Sequence, residues 1–463
     1  MTWHFPANAH AAAVPHARAV SVDGEALTWR ELLDQSARLQ VVWEQQLPED
    51  ARVIVPAERS LRFITHVVAL LRSGRTFILV SPEVTARELA HAFEAAKASV
   101  SYTTPQLSAL EADAAQVLQE ALRPAAPWPA ERELLCVLTS GTTGKPKAVP
   151  LRAEQVIFST LGSASRLGSL PTDRWHAPLP LHHVGGIMVL LRALTLGFEA
   201  EYTTHFDAAT SAKRLASGEV TLASFVPVML ERILDSDPSL RGTPSLRAIL
   251  LGGAATPERL LHRAEAAGLP VARSWGMSET SSQIATASPG DLTSPLAPLP
   301  FSDVSLVEGR LVIDGPQALG GHFVSSDRGQ ISEAGVDVLG RADDIFISGG
   351  ENVDPVEIER VLLASPEVAA ALVAGVPSER WGQEAVAFVV LETPCDAAQL
   401  RSRCEAALEK YKIPKSFQFV EDIPRNSIGK PSRKRALELW NSIQADREGR
   451  PRSTTDSSSG ATS

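Results

Sequence analysis

The sequence predicts an α/β fold, a large N-terminal domain followed by a smaller C-terminal one, on three observations. Strand-length apolar runs alternate with capped helices through the first hundred residues. A continuous apolar run, Leu134–Leu138, feeds a loop of glycines and hydroxyl residues. Past Ser288 the composition turns Pro/Ser/Leu-rich, ahead of a charged and glycine-rich junction at Gly340–Glu359. Strand–helix–strand alternation calls for crossover connections, hence a largely parallel sheet with helices on its faces.

The elements follow in order. Ala19–Val22 and the Asp23-Gly24 turn read as a short hairpin, and Thr28-Trp-Arg-Glu31 as a capping box opening a helix to about Gln45. Arg52–Pro56 is a strand, Leu61–Arg72 a helix ending at Gly74, and Thr76–Val80 a strand. Thr85-Ala-Arg-Glu88 opens a second capped helix through about Ala98, and Glu111–Pro129 reads as a helix followed by a Pro/Ala-rich connector. After the Leu134–Leu138 strand and its loop comes the helix Ala153–Leu167. A strand from Trp175 then delivers His182 and His183 into a Gly-Gly turn before the helix Ile187–Leu196. Val220–Phe225, Leu246–Leu251 and Pro270–Ser274 are further strands, with helices at Pro227–Leu234 and up to Ala267. Val304–Asp314 is a hairpin around Glu308-Gly309, and Phe323–Gly329 presents Asp327 in a turn. The domains expected are residues 1–340 and 341–445, with a polar, disordered Ser/Thr-rich tail at 446–463.

Composition narrows the function. At 463 residues there is room for roughly two or three domains with substantial cores. A net charge of -10 argues against a nucleic-acid binder. His66 and Arg192 interrupt the best apolar runs, so no membrane span is expected, and no basic-then-apolar leader is read at the N-terminus. The three cysteines, Cys136, Cys395 and Cys404, show no metal-ligand spacing and fit a reducing cytoplasm.

Thr139–Lys147 carries the clearest chemistry. Gly141 and Gly144 let backbone N–H groups turn toward an anion, Thr139, Ser140, Thr142 and Thr143 offer hydroxyl donors, and Lys145 and Lys147 add positive charge. The spacing is not that of a Walker A loop, and the plainer reading is a Gly/Thr-rich hairpin tip. Gly252-Gly253-Ala254, between strand and helix, lets a flat ligand approach the backbone or serves plain packing. Trp275-Gly-Met-Ser-Glu-Thr280 offers an aromatic plane, a permissive glycine, a hydroxyl and a carboxylate that suit a purine, a phosphate and Mg²⁺; the alternative is a strand running into an N-capped helix. Asp327 either accepts the hydroxyls of a ribose or stabilises its own turn. The adjacent histidines lack the i, i+4 spacing of a helical metal pair and also suit a structural role. Arg192, on an apolar helix, must reach solvent or a neighbouring carboxylate, or else meet a buried anion. Pro424–Pro431 is an exposed loop presenting Lys430.

Taken in this order, Thr139-Ser-Gly-Thr-Thr-Gly-Lys-Pro-Lys147, Trp275-Gly-Met-Ser-Glu279, Asp327, Gly340-Arg-Ala-Asp-Asp344 and Gly429-Lys430 resemble the motifs of the adenylate-forming superfamily, which includes acyl-CoA synthetases and firefly luciferase. The resemblance spans roughly Thr28 to Arg435. Leu179-Pro-Leu-His-His-Val-Gly-Gly186 and Phe346-Ile-Ser-Gly-Gly-Glu-Asn-Val353 are similar to the 2-succinylbenzoate–CoA ligases of menaquinone synthesis, as is the short length.

The resemblance implies stacked α/β sheets in the N-terminal domain and a C-terminal domain that turns about a hinge at Asp343. It implies ATP and CoA as co-substrates, Mg²⁺ held by Glu279, and a small carboxylic acid as the group activated; it leaves a homodimer open. The loop Thr139–Lys147 would hold the β/γ-phosphates. Gly252, Gly253, Ala254 and Trp275 would line the adenine, with Ser274, Gly276 and Met277 also in the ATP/AMP site; Ser278 would meet the α-phosphate, and Asp327 and Arg341 the ribose. His183 would gate the acyl pocket, Lys430 would serve adenylation, and Ser348, Gly349 and Gly350 would approach CoA. Related ligases carry an arginine placed like Arg192, which makes it a candidate for the spectator carboxylate of 2-succinylbenzoate. Three departures from the pattern stand out: Ala148 after the loop's Pro-Lys, Ser325-Ser326 before Asp327, and apolar Phe346-Ile347 after the hinge. Other readings are a CoA ligase for another aryl or medium-chain acid, an acyl-AMP ligase loading a carrier protein, and a nucleotide-binding protein without catalysis.

Overall fold

A computed structural model describes residues 1–140, 146–426 and 429–448. Gly141, Thr142, Thr143, Gly144 and Lys145, the heart of the expected phosphate loop, lie outside the described residues, as do Ser427, Ile428 and the tail from 449. Two compact units divide the chain, Met1–Gly340 and Arg341–Ser463.

The N-terminal unit contains two α/β sheets and a smaller antiparallel one. The first runs, in spatial order, Val100–Ser101, Arg52–Pro56, Thr76–Val80, Glu133–Ser140 and Pro146–Arg152; it is parallel except for its last strand. The second has nine strands, and its central run Val271–Met277, Ala248–Leu251, Leu222–Phe225, Arg174–His176, Glu199–Tyr202 and Arg18–Val22 is parallel. Strands buried on both faces need no polar alternation, which is why Ala248-Ile-Leu-Leu251 is apolar throughout. The helix Leu61–Ser73 packs against strands of both sheets, which accounts for its burial from Phe63 to Ser73. Four antiparallel strands, Asp303–Val307, Arg310–Asp314, His322–Ser332 and Gly335–Arg341, form the third sheet.

The C-terminal unit is one five-stranded sheet with helices on both faces. Period-two alternation along Val368–Ser378 sorts its side chains. Ala371 and Val373 pack with Ile358 and Leu400 of the helices Pro355–Leu363 and Ala397–Ala407, while Leu372, Ala374 and Val376 pack with Ala436 of the helix Arg433–Glu448.

The α/β class and both capping boxes are as predicted: Thr28 and Glu31, then Thr85 and Glu88, close reciprocal bonds. Four local expectations change. The helix expected at Glu111 is Thr104–Ala114, started by a capping box in which Gln106 takes the acid's place; Glu111 belongs to its last turn. The strand at Trp175 ends at His176, and the next helix begins at Val184 with His183 at its N-cap, so the Gly-Gly pair lies inside its first turn. A Cβ on Gly186 would sit 2.2 Å from the Pro180 carbonyl oxygen, so only glycine lets that turn close. Asp327 sits in the strand His322–Ser332 and not in a turn. The final helix runs to Glu448, past the expected start of the tail.

Candidate active site

Both flanks of the expected phosphate loop are paired with each other. Glu133–Ser140 pairs antiparallel with Pro146–Arg152, setting Thr139 opposite Lys147 and Ser140 opposite Pro146, and the Thr139 hydroxyl donates to the Lys147 carbonyl at 3.4 Å. The Lys147 ammonium, more than half exposed, lies 3.6 Å from a carboxylate oxygen of Glu279, whose side chain is 17% exposed.

Glu279 occupies the middle of a single 3₁₀ turn, Ser278–Thr280, that follows the strand Val271–Met277. Beyond it Ser281 and Ser282 adopt positive φ of 51° and 96°, a conformation that costs an L-residue on the order of 1 kcal/mol or more. The chain doubles back so closely that a Cβ on Gly276 would fall 1.7 Å from the Ser282 carbonyl oxygen. Three bonds hold this shape. The Met277 amide donates to the Thr280 hydroxyl at 3.2 Å, the Gln155 amide to the Glu279 carbonyl at 3.1 Å, and the Ser159 hydroxyl to the Ser281 carbonyl at 2.7 Å. Gln155 and Ser159 come from the helix Ala153–Leu167 and are buried. Sequence reasoning missed both. Their signal was a polar stripe, Gln155, Ser159 and Ser163, at four-residue spacing on one helix face.

The expected purine residues and Asp327, one of the two expected ribose residues, meet around the strand Val271–Met277. Trp275 is buried among Ile284, Val304 and Leu311, and its indole N–H donates to Asp327 Oδ2 at 2.7 Å. A register shift between Arg310 and Val312 bulges the strand carrying Asp327. Within the bulge Ser325 donates to the Leu311 carbonyl at 2.8 Å and accepts from the Asp327 amide at 3.1 Å. A bulge re-aims a side chain, and this one turns Asp327 toward Trp275. Leu251 pairs with Arg273, so the following residues, Gly252 and Ser274, also meet; a Cβ on Gly252 would lie 3.4 Å from the Ser274 carbonyl oxygen. Thr286 donates to the Ser274 hydroxyl at 3.2 Å. Gly253 takes φ of 86°, and Ala254 follows it in the turn.

The helix Val184–Leu196 packs against Ser282–Thr286, the strand leaving the Glu279 turn. The rings of His182 and His183 lie 4.2 Å apart at its start. Burial and the charge of Arg59 push His182 down to about 4, so it is neutral at pH 7. Arg192 is 1% exposed, and its guanidinium lies 5.6 Å over the Trp175 ring. Nε and Nη2 have no hydrogen-bond partner, and among the described residues no carboxylate forms an ion pair with it. Burial lowers its pKa to about 10, which still leaves it charged near neutrality. The ordinary exits, solvent or a neighbouring Asp or Glu, are thus both closed.

The remaining expected residues lie at and beyond the start of the C-terminal unit. Arg341 reaches Asp343 at 3.1 Å. Ser348-Gly349-Gly350 turns the hairpin between Phe346–Ser348 and Glu351–Val353, with both glycines at positive φ and the Gly349 amide donating to the Trp381 carbonyl at 2.9 Å. Lys430 sits between Asn426 and the helix Arg433–Glu448, its amide donating to Asn426 Oδ1 at 2.9 Å.

Residues 7–322 match the AMP-binding enzyme family and residues 357–430 the C-terminal domain of AMP-binding enzymes. The 2-succinylbenzoate–CoA ligase of Bacillus cereus is 31% identical over 462 residues, covering 92% of this chain and 96% of that protein. The ligase of the same name from Geobacillus kaustophilus is 32% identical over 475 residues, 92% and 95% of the two chains. Among solved structures, o-succinylbenzoate CoA synthetase from Bacillus subtilis in complex with its acyl-adenylate intermediate superposes with a TM-score of 0.83 at 27% identity, over 94% of this chain and 98% of that one. The same enzyme with ATP and a magnesium ion gives 0.82 at 27% identity, over 95% and 100%.

Proposed function

The chain belongs to the AMP-binding enzyme family, and from that premise we propose that it is an AMP-forming acid–CoA ligase. It converts 2-succinylbenzoate, ATP and CoA to 2-succinylbenzoyl-CoA, AMP and diphosphate. One observation carries the reading: Lys147, Glu279, Trp275 and Asp327 are drawn together at the end of one strand, as phosphate, metal, purine and ribose contacts must be.

In this reading the loop Thr139–Lys147 grips the β/γ-phosphates. Gly252 to Ala254 and Ser274 to Met277 border the purine, Ser278 meets the α-phosphate, Asp327 accepts from the ribose hydroxyls and Arg341 donates to the ribose. Glu279 fits Mg²⁺, which keeps several waters and binds through one or two carboxylates plus substrate phosphates. Bound there with the nucleotide, Mg²⁺ supplies positive charge to the phosphates.

Adenylation brings two anions together. The substrate carboxylate oxygen attacks the α-phosphorus, diphosphate leaves, and Lys430 neutralises the charge that accumulates between them. The thiolate of CoA then attacks the acyl carbonyl and AMP departs. His183 borders the acyl pocket, and Arg192 pairs with the carboxylate that is not activated; a buried guanidinium with no protein anion among the described residues supports that assignment. Rotation about Asp343 exchanges Lys430 for the Ser348–Gly350 turn between the two steps. Cytoplasmic residence belongs to the same proposal and is supported by three free cysteines. A homodimer stays open in this reading, to be decided by light scattering.

Diphosphate release measured across 2-succinylbenzoate, benzoate and octanoate, with and without CoA, tests the activity. Preference for either of the other acids would reassign the substrate, and an adenylate that CoA cannot consume would point to carrier-protein loading. Lys430→Ala should abolish adenylation while largely sparing thioester formation from supplied adenylate; equal loss of both would refute its role.

A further inference from the structure

The C-terminal unit contains a clamp that none of these roles uses. Arg433 opens the helix Arg433–Glu448, three residues after Lys430. Its guanidinium forks between two carboxylates, with Nη1 2.9 Å from Asp344 Oδ2 and Nη2 2.8 Å from Glu359 Oε1. Asp344 closes the 3₁₀ turn Ala342–Asp344, beside Asp343. Glu359 lies on the helix Pro355–Leu363 and also accepts the Val373 amide at 2.8 Å, which ties it to the sheet.

Backbone bonds close the base of the Lys430 loop. The Asn426 amide donates to the Lys430 carbonyl at 2.8 Å, and the Ser432 amide to the Pro424 carbonyl at 2.8 Å. Arg425 adds a bond from Nη1 to the Gly429 carbonyl at 3.1 Å. Lys430 is therefore carried by the start of the final helix, and that start is pinned to the turn at the hinge. Charge-assisted bonds from a planar fork fix direction as well as distance, which an ammonium on a flexible stem does not.

We infer that Arg433 is a positioning residue for Lys430, locking the lysine loop, the turn beside Asp343 and the sheet into one piece that moves as a unit at the hinge. The inference rests on the ligase reading and on its assignment of Lys430 and Asp343. Misplacing a reacting group by about 1 Å can cost around a hundredfold in rate, so the step that uses Lys430 should suffer and the step that does not should be spared.

The test compares the two half-reactions in the full-length enzyme: diphosphate release from ATP and 2-succinylbenzoate, and thioester formation from supplied adenylate and CoA. Arg433→Ala should slow the first by about tenfold or more and the second by no more than about twofold. Arg433→Lys should restore only part of the loss, since one ammonium cannot reproduce the fork. Asp344→Asn, which weakens one arm alone, should show the same asymmetry more mildly, and it carries the test if Arg433→Ala does not fold. Equal loss in both half-reactions, or no loss in either, overturns the inference. Lys430→Ala run alongside separates the two failures. If it leaves adenylation intact, the reading of Lys430 is wrong; if it removes adenylation while Arg433→Ala does not, only the clamp is wrong.

Discussion

Arg174 and Arg214 share a set of carboxylates, whereas Arg192, in the same unit, finds none among the described residues. Arg214 is doubly bonded to Glu201 and also reaches Glu219, while Arg174 spans Glu199, Glu201 and Glu219. His176 meets Glu201 at 2.9 Å, and Ser21 donates to Glu199 at 2.6 Å. Burial alone would raise Glu201, but its bonds to His176 and Arg214 outweigh burial and hold it at about 2. In the first region the chain supplies its own anions and gains rigidity between neighbouring strands. In the second it leaves a desolvated cation uncompensated, which is costly unless something from outside completes it. The contrast separates an arginine satisfied by the protein's own carboxylates from the one proposed above to meet a substrate carboxylate.

The largest effect should come from breaking the satisfied network. Arg214→Ala leaves Glu201 without its fork and should cost about 3 kcal/mol of stability at pH 7, read by denaturant unfolding, with kcat unchanged in the folded fraction. Glu201 is depressed on folding, so its contribution is present above the unfolded value of 4.5 and lost as pH falls toward 2; the gap between wild type and variant should narrow over that range. Arg192→Met should do the reverse. The KM for 2-succinylbenzoate should rise about 10- to 100-fold, with stability unchanged or higher and benzoate turnover unaffected. Destabilisation as large as that of Arg214→Ala would mean the two arginines are alike, and the contrast would collapse. The smallest effect belongs to Ser159→Ala. It frees the Ser281 carbonyl, should cost about 1 kcal/mol of stability, and should raise the KM for ATP a few-fold without slowing thioester formation from adenylate.

Much of this was legible in the sequence, because local chemistry decides local structure. Thr28 with Glu31 and Thr85 with Glu88 announce helix starts within four residues. Thr103 with Gln106 does the same in a neutral version, easily passed over. The motifs around Trp275, Asp327 and Lys430 suggested a chemistry but showed nothing of their supports. Asp327 faces Trp275 because a bulge offsets strand pairing, and nothing local encodes that offset. Gln155 meets Glu279 across 124 positions and Arg433 meets Glu359 across 74, so only the fold makes either pair visible.

Ser281 and Ser282 bear on attempts to improve the protein. A thermostability campaign would find Ser282 early, since glycine accepts a φ of 96° with no Cβ to accommodate. The relief would come at the turn whose fixed shape aims Glu279, and glycine would release the next few residues along with the strain. Heat resistance gained there is expected to be taken from catalytic output, so the strained pair marks where those two goals of an engineer part company.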